Sequence, residues 1–452
     1  MGNLNGKVPE KVDAGALSDD EFENLKKYFE ACCKDGEMMT MDERSFESRF
    51  GSKEQMKNLF AAIDLNDKKI LDLKDFRDGV ATCCGRMRSD AQFYAFLEAC
   101  DAKYADRTMS LDEKDLKRLF RTAFVLSLVA RLGNTDAVKR IDINSVDVSR
   151  LVSSALSGRT SVRIQDFLTY CTYKFRAFSK TFGAYIYFRF SLCSQNDVLS
   201  SSRVFQWPHI EKGKRTILKK TDMFALGLAS ETLQCEWRSL YDVDHGRSFE
   251  RLCFDVIGYS GPTLFVIRDT SGNVFGALAE TPWSEDAGEK TFFGSPNSFL
   301  FALRPTVKIL RPGSTCQEEN YQYMNRKGHS KISPGLGFGG SVGNFRLFIC
   351  ADFGTDKCKE RTIGVTTFER GRLRSNRTSE FMIETLEVWG LGGEDAISAQ
   401  SKERQESSRI RQQMRKVDKA RLLDDFTKEF MLGKTFGKDL NSEMVQAARD
   451  CD

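Results

Sequence analysis

Apolar side chains recur every three or four positions through residues 18–180, as at Phe22, Leu25 and Phe29. This spacing places them on one face of a helix, so the segment is predicted to be helical. Ser18, which has a glutamate three residues later, begins a capping-box sequence and predicts the start of the first helix.

The pattern changes near residue 183, where short runs rich in β-branched and aromatic residues alternate with Gly, Pro, Asn and Asp. Asp269–Asn273 separates two such runs with turn-forming residues, which predicts a hairpin. The predicted strands are Ala184–Phe190, Thr263–Ile267, Val274–Ala279, Phe299–Leu303, Val307–Leu310, Phe345–Ile349, Ile363–Thr367 and Ile383–Trp389. So many closely spaced strands favour a β-sandwich or open barrel over a parallel α/β sheet.

A polar, charge-dense segment follows Gly392–Gly393, and its apolar residues form one stripe of a predicted helix that ends near Gly433. The stripe comprises Ile410, Met414, Val417, Ala420, Leu423, Phe426 and Phe430, and Arg411 and Arg415 are among the basic residues of its first turns. One such helix is marginally stable alone. We therefore expect the stripe to dock on a partner or on the chain's own domains.

These patterns indicate an α+β multidomain protein with four segments. They are an N-terminal arm (1–17), a helical domain (18–180), a strand-rich domain (183–393) and a charged helix and tail (394–452).

Composition narrows the classes of function. The net charge of +4 is spread over both signs, so no nucleic-acid partner is expected. The longest apolar run, Ala123–Ala130, is far shorter than the ~20 residues of a membrane-spanning helix. The 13 cysteines include no Cys-x-x-Cys, and no secretory signal pattern is present, which indicates reduced thiols in the cytosol. With 3 histidines, a zinc site or a histidine-based triad is hard to build, so we expect no cofactor and no catalysis.

One short pattern recurs in the helical domain and resembles the second half of an EF-hand loop. Its copies are Met41–Phe46, Leu71–Phe76, Leu111–Leu116 and Val162–Phe167. In such a loop the apolar residue at position 8 forms a short β-bridge with the paired hand, and position 12 ligates the ion. The repeat therefore predicts an EF-hand-like domain of paired helix-loop-helix units.

The best of these loops runs from Asp64 to Asp75, and Asp64 and Asn66 occupy ligand positions 1 and 3. Lys68 stands at position 5, and Lys69 replaces the glycine that the sharp turn needs at position 6. Two positively charged lysines in a site for a divalent cation should abolish useful affinity for calcium. We therefore expect a degenerate loop kept as scaffold, with no bound metal, although calcium sensing is the alternative.

The strand-rich segment resembles the TLDc domain over about residues 200–393. Five spaced stretches carry the resemblance: Trp237–Phe249, similar to the family's helix-and-loop start; Asp269–Trp283, its hairpin; Asn297–Asn325; Gly335–Phe353; and Leu386–Gly390. The motif residues are Trp237, His245, Gly246, Phe249, Asp269, Gly276, Gly335, Gly337, Gly339, Gly340, Glu387, Trp389 and Gly390. The resemblance implies a β-sandwich flanked by helices.

Within this family, the segment order is most similar to a myristoylated, lysosome-associated group linked to the growth-control kinase TOR. The resemblance implies a non-enzymatic adaptor that binds and regulates the V-type proton-pumping ATPase. The TLDc domain would hold the ATPase head, and the tail helix would reach a second subunit such as the central stalk. A lysosomal TOR-pathway scaffold and an oxidative-stress protective enzyme are the alternatives.

Gly2 is a candidate myristoylation site because Met1-Gly2-Asn3 offers an N-terminal glycine, although Gly6 stands where the motif prefers Ser or Thr. One acyl chain anchors a protein only marginally. We therefore expect the protein at the cytoplasmic face of lysosomal or other acidic membranes and in the cytosol.

Three groups of residues invite a site interpretation and have simpler structural ones. Gly335–Gly340 superficially resembles a phosphate loop, but no helix pattern follows it, so a tight turn is predicted. His245, Glu250 and Glu387 lack a nucleophile, so turn formation at His245-Gly246 and burial at the sheet edge by Glu387 are expected. Core packing is expected for the thiols Cys253, Cys350 and Cys358.

Overall fold

The computed structural model describes most of the chain between residues 17 and 409. The described residues are 17–33, 39–50, 56, 58–132, 142–192, 204–242, 247–283, 292–313, 320–326, 334–353, 358–364, 366–402, 404–406 and 409.

The N-terminal half is helical, as predicted. Its helices are α1 Asp19–Cys32, α2 Glu43–Phe50, α3 Leu59–Ile63, α4 Leu73–Cys83, α5 Ser89–Cys100, α6 Glu113–Leu132, α7 Ser149–Leu156, α8 Ile164–Lys174 and α9 Lys180–Arg189, with 3-10 turns at Ala102–Ala105 and Ile143–Ser145. The predicted capping box is confirmed: Glu21 N donates to Ser18 Oγ, and Ser18 N donates to the Glu21 carboxylate.

Short strands link the loops of this half in pairs. Strand β1 (Met41–Asp42) pairs with β2 (Ile70–Leu71), which places Met41 opposite Leu71. Strand β3 (Ser110–Asp112) pairs with β4 (Ser161–Arg163), which places Leu111 opposite Val162. The apolar residue at position 8 of each repeat therefore lies in a bridge to another repeat, which is the pairing that the sequence pattern predicts.

The C-terminal half contains two sheets. The strands of the first are β5 His209–Ile210, β6 Glu236–Asp242, β7 Thr263–Asp269, β8 Val274–Ala279, β10 Phe299–Arg304, β11 Lys308–Leu310 and β17 Ile383–Gly390, in the spatial order β11-β10-β8-β7-β17-β6-β5. Those of the second are β9 Phe292–Phe293, β12 Gln322–Asn325, β13 Gly335–Ser341, β14 Asn344–Cys350, β15 Cys358–Glu360 and β16 Glu380–Phe381, in the order β16-β15-β14-β13-β12-β9. The flanking helices are α10 Lys220–Ala229 and α11 Phe249–Val256, with a 3-10 turn at Glu231–Leu233.

The seven-stranded sheet is buried on both faces. One face shares a hydrophobic core with the six-stranded sheet, to which Phe265 and Phe338 contribute. The other face, which includes Val266 and Phe301, belongs to the core that runs through the N-terminal helices. Alternate residues of one strand therefore serve two cores, as the twofold repeat of a strand requires. The four tryptophans are buried: Trp207, Trp237 and Trp389 in the core shared with the helices, and Trp283 in the core of the sandwich.

The strand prediction at Ala184–Phe190 is wrong, because this run belongs to helix α9. Every residue from Thr181 to Tyr187 is buried. A helix buried on all sides has no polar face, so its sequence lacks the helical periodicity and reads as a short apolar run.

Three further local predictions are corrected. Trp237–Asp242 is strand rather than helix and loop, because β17 and β5 flank it, and the helix of this stretch begins at Phe249. Gly335–Gly340 is strand β13 rather than a tight turn. The predicted strand Ile363–Thr367 is wrong, because its described residues 363, 364, 366 and 367 form no strand and Ile363 is 87% exposed.

The chain divides into two compact units. The first comprises residues 1–257 and 261–393, and the second comprises residues 258–260 and 394–452. In the second unit the described residues 394–402 and 404–406 are helical. Within the described part of the chain, every helix is too short or too polar to cross a bilayer.

Candidate functional site

In the Asp64–Asp75 loop, groups of the protein itself bond the carboxylates at the predicted ligand positions 1 and 12. The Asp64 carboxylate accepts hydrogen bonds from the backbone amides of Lys68, at 2.9 Å, and Lys69, at 2.8 Å. Lys69 adopts a φ of 64°, the left-handed conformation that glycine normally supplies at position 6. The Lys68 ammonium lies 2.7 Å from both carboxylate oxygens of Asp75, the residue at position 12.

Two other loops also bring a cation to the carboxylate at position 12. Asp115 accepts hydrogen bonds from Lys103 Nζ at 2.5 Å and from the Tyr104 hydroxyl at 2.9 Å. Arg163 lies 2.9 and 3.1 Å from the two oxygens of Asp166.

These cations lower the pKa of the carboxyl groups. For Asp75 the main cause is the hydrogen bond from Lys68. For Asp115 burial raises the pKa, but the hydrogen bonds from Lys103 and Tyr104 outweigh it. The carboxylates therefore stay ionised and are paired within the protein.

The TLDc motif residue Asp269 holds the turn between β7 and β8. Its carboxylate accepts bonds from the backbone amides of Ser271 and Asn273, at 3.0 and 2.9 Å, and from the Asn273 side chain at 2.8 Å. Asn273 Oδ1 in turn accepts bonds from the amide and hydroxyl of Ser375. The predicted hairpin is confirmed, and its turn is fastened to a distant loop.

Glu387 is a buried acceptor, and its predicted place at the sheet edge is wrong. It lies on β17, an interior strand between β7 and β6. Its carboxylate accepts bonds from Thr216 Oγ1 (2.7 Å), Ile217 N (2.8 Å) and Trp389 Nε1 (3.0 Å). Burial raises the pKa of Glu387, and these three donors act against that rise. The motif pair Glu387 and Trp389 thus fastens the segment before α10 to the sheet.

The other described motif residues contribute packing. Trp237 is fully buried and donates to the Leu233 carbonyl, and Phe249 begins α11 beside Phe353. A Cβ on Gly276 would lie 1.8 Å from the Phe265 carbonyl oxygen, so no other residue fits there. Gly335 and Gly337 leave room for the rings of Phe348 and Phe345, Gly339 and Gly340 have positive φ, and Gly390 ends β17.

A buried ionic network in the sandwich was not anticipated from the sequence. Glu360 accepts bonds from Arg346 at 3.4 Å and Arg374 at 3.2 Å, and Arg374 also lies 3.8 Å from Asp269. These four side chains are each 1–2% exposed. Burying charge is costly unless each group is paired, so this network ties the six-stranded sheet to the Asp269 turn.

Polar side chains also join the helical half to the TLDc sheet, and no sequence pattern indicates these contacts. Asp222 is 1% exposed and pairs with Arg150 of α7 at 2.9 Å and with Arg304 of β10 at 2.6 Å. Arg311 donates to the carbonyls of Tyr173 and Ala229, and Lys174 pairs with Glu369. The partners are separated by up to 195 residues along the chain, which is beyond the reach of spacing rules.

Several site predictions lie outside the described residues. They are the lipidation site Gly2, the motif residues His245 and Gly246, and the tail residues Ile410, Arg411, Met414, Arg415, Val417, Leu423, Phe426 and Phe430.

The described thiols sit in places that disfavour the reactive thiolate. Cys253 and Cys350 are buried. Burial raises the pKa of Cys358 to about 12, of Cys100 to about 12 and of Cys235 to about 11. Among the described residues, no three His, Cys, Asp or Glu side chains are grouped as metal ligands would be.

Comparison with known proteins matches residues 212–392 to the TLDc domain. The chain is 33% identical over 171 residues to MTOR-associated protein MEAK7 of Danio rerio, covering 38% of this chain and 36% of that protein. It is 34% identical over 166 residues to the Mus musculus protein of the same name, covering 36% and 34%. It is 28% identical over 165 residues to oxidation resistance protein 1 of Rattus norvegicus, covering 36% and 18%.

The matches therefore span about a third or less of the length of these relatives. The TLDc match at residues 212–392 includes strands β6 to β17 and the described motif residues. The C-terminal half of the chain contains a TLDc domain.

Proposed function

We propose that this protein is a non-enzymatic adaptor that binds and regulates the V-type proton-pumping ATPase. The observation that supports the adaptor function is that the described motif residues hydrogen-bond and pack within the fold itself. The carboxylates of Asp269 and Glu387 accept hydrogen bonds from backbone amides and neighbouring side chains. The motif glycines and tryptophans pack the sheets. None of these groups is left to activate a substrate, so the outer surface of the domain carries the function.

The identity of the partner rests on the family resemblance. The TLDc domain would contact the ATPase head, and the tail helix would contact a second subunit such as the central stalk. The name of the MEAK7 relatives, MTOR-associated, favours a second candidate, a scaffold for TOR-pathway components.

The raised thiol pKa values argue against the third candidate, an oxidative-stress protective enzyme. A peroxide-consuming cysteine needs a thiolate near neutral pH. The shifts of Cys235, Cys100 and Cys358 run in the opposite direction.

A binding experiment with purified components separates the first two candidates. Immobilised full-length protein should retain purified V-ATPase without other factors, and ATP hydrolysis by the bound pump should change. If TOR components are retained from a membrane extract while purified V-ATPase is not, the scaffold function replaces the ATPase function.

We further infer that the helical half consists of EF-hand-like units retained as scaffold. The antiparallel bridges at Met41–Leu71 and Leu111–Val162 support this, since position 8 of paired hands makes that contact. The cations on Asp75, Asp115 and Asp166 supply from within the chain the positive charge that an ion would bring.

Membrane attachment through a myristoyl group on Gly2 is part of the proposal. One acyl chain gives marginal, reversible binding, and a membrane-bound partner would supply the rest. The Gly2→Ala variant should therefore shift the protein from lysosomal membranes to cytosol only partly, as measured by cell fractionation. Unchanged fractionation would argue against lipidation, and complete release would show that the lipid is the sole anchor.

A further inference from the structure

An open pocket of about 350 Å³ lies where helix α7 meets the TLDc sheet, and the proposed function does not use it. Its wall includes three basic side chains, Arg150, Lys219 and Arg304. The remaining lining residues are Ser271, Gly272, Asn273, Pro305 and Ser375, which belong to the β7–β8 turn, the end of β10 and the loop that fastens the turn. All of these residues belong to one compact unit.

The two arginines have more hydrogen-bond donors than their protein partners use. Arg150 Nη1 contacts Asp222 and donates to the Leu303 carbonyl. Arg304 Nη2 contacts Asp222 and donates to the Ile217 carbonyl. A guanidinium has five N–H donors, and Arg304 Nε is buried without an acceptor. A buried donor of this kind is costly unless a ligand or water accepts from it.

The charges at the pocket are unbalanced toward positive. Asp222 pairs with Arg150 and Arg304, and Asp147 interacts electrostatically with Arg150 and Lys219. Among these five side chains one positive charge is in excess. Lys219 is exposed and makes no ion pair with another described residue, so its ammonium can turn toward a ligand.

The β7–β8 turn adds a neutral donor beside the cations. Ser271 Oγ accepts a bond from Asn376 at 2.9 Å, which leaves its hydroxyl proton to donate. The side chain of Asn273 already hydrogen-bonds to Asp269 and Ser375. The pocket thus offers guanidinium forks, which match phosphate oxygens, next to a hydroxyl that suits a polyol.

We propose that this pocket binds a phosphorylated polyol of the inositol phosphate class, either free or as a lipid headgroup. The phosphate would accept from Arg304 and Arg150 on the sides that face away from Asp222, and Lys219 would close over it. Because Arg150 lies on the helical half and Arg304 on the sheet, the ligand would bridge the two halves of the protein.

Full-length protein is titrated with inositol trisphosphate by calorimetry, and variants test the pocket. Arg304→Lys keeps one cation for Asp222 but removes the guanidinium fork, and it should weaken binding about tenfold. Lys219→Gln removes an exposed charge without breaking a protein contact, and it should weaken binding about threefold to tenfold. Lys220→Gln is the matched control, because Lys220 is the next exposed lysine and does not line this pocket. It should bind as the wild type does.

Vesicle flotation distinguishes the two sources of the phosphate. If the ligand is a headgroup, the wild type should bind phosphatidylcholine vesicles that contain phosphatidylinositol phosphate. The Lys219→Gln variant should bind them less. Binding of the soluble compound alone would indicate a free metabolite, and both results support the pocket. The proposal is overturned if the wild type binds neither probe, or if Lys220→Gln weakens binding as much as Lys219→Gln does.

Discussion

In two loops of the helical half, a single lysine side chain pairs with the carboxylate that the predicted EF-hand would use to ligate an ion. The Lys68 ammonium contacts both carboxylate oxygens of Asp75, and the Lys103 ammonium contacts Oδ1 of Asp115. On the scaffold proposal, an internal cation, which cannot dissociate from the chain, would take the place of calcium in these loops. Such an exchange would suit a permanent scaffold and would remove a ligand-dependent switch.

The first prediction is that the wild type does not bind calcium with micromolar affinity, and that Lys68→Asp combined with Lys69→Gly restores weak binding. The aspartate adds a ligand at position 5, and the glycine relieves the left-handed backbone at position 6. Isothermal titration measures both. Lys74→Asp with Lys69→Gly is the control, since it changes the same residue types and leaves the ligand positions unaltered. Micromolar binding by the wild type would contradict the scaffold inference.

The second prediction concerns acid. The pKa of Asp115 is lowered in the folded protein, so its stabilising effect is present above the unfolded-state pKa of ~3.9 and is lost as pH falls through the folded value. Asp115→Asn should lower the free energy of unfolding by about 1–2 kcal/mol at pH 7. Urea unfolding at pH 7 and near pH 3 should show the difference shrinking. A difference that does not change with pH would mean that the carboxylate charge is not what matters.

Local chemistry at single residues could be predicted from the sequence, and long-range pairing could not. The capping box at Ser18 and the turn at Asp269 depend on neighbours within four residues. The pairing of Asp222 with Arg150 and Arg304 depends on how helices and sheet come together. Nothing within ten residues of Asp222 distinguishes it from an exposed helix-start aspartate.

At the scale of elements, burial decides which predictions succeed. Strands such as β8 and β17 lie between recognisable turns, and their bounds follow from composition. Helix α9 has seven consecutive buried residues, and all of them after Thr181 are apolar, so its composition is that of a buried strand. Strand β13 is rich in glycine because aromatic rings of β14 lie over it, and a glycine run in sequence predicts a turn.

The third prediction concerns the helix predicted for the tail. If its stripe docks on the ATPase, each apolar anchor contributes about 1–3 kcal/mol. Met414→Asp combined with Leu423→Asp should therefore weaken binding of purified V-ATPase at least tenfold. In that case the melting temperature should change by no more than about a degree, because a tail docked on a partner would add little to either core. Ala420→Gln on the same helix serves as a milder comparison.

The opposite outcome would indicate that the tail does not dock on the ATPase. If the double variant melts several degrees lower and still binds the ATPase as the wild type does, the stripe packs within this protein. The TLDc domain would then make the whole contact with the pump.

On the scale of the whole molecule, one hydrophobic core joins the helical half to the seven-stranded sheet. Val266 and Phe301 of the sheet belong to the same core as Phe96 and Phe120 of the helices. Removing the helices would expose this entire face of the sheet. The TLDc domain here is thus one layer of a larger folded unit.

We therefore predict that residues 17–393 unfold in one cooperative transition. Scanning calorimetry should give a van't Hoff enthalpy close to the calorimetric one. Arg311→Met, which removes the bond to Tyr173 between the halves and the bond to Ala229 within the C-terminal half, should lower that single transition without splitting it. Two separate transitions, one of which is insensitive to Arg311→Met, would show that the halves fold independently.

The burial of all four tryptophans gives this protein an optical property that follows from its packing. Trp207, Trp237 and Trp389 report on the core between helices and sheet, and Trp283 reports on the core between the two sheets. The segment from residue 394 onward contains no tryptophan. Intrinsic fluorescence therefore measures the state of these two cores directly, and a single indole placed in the tail would give a separate signal for where that segment goes.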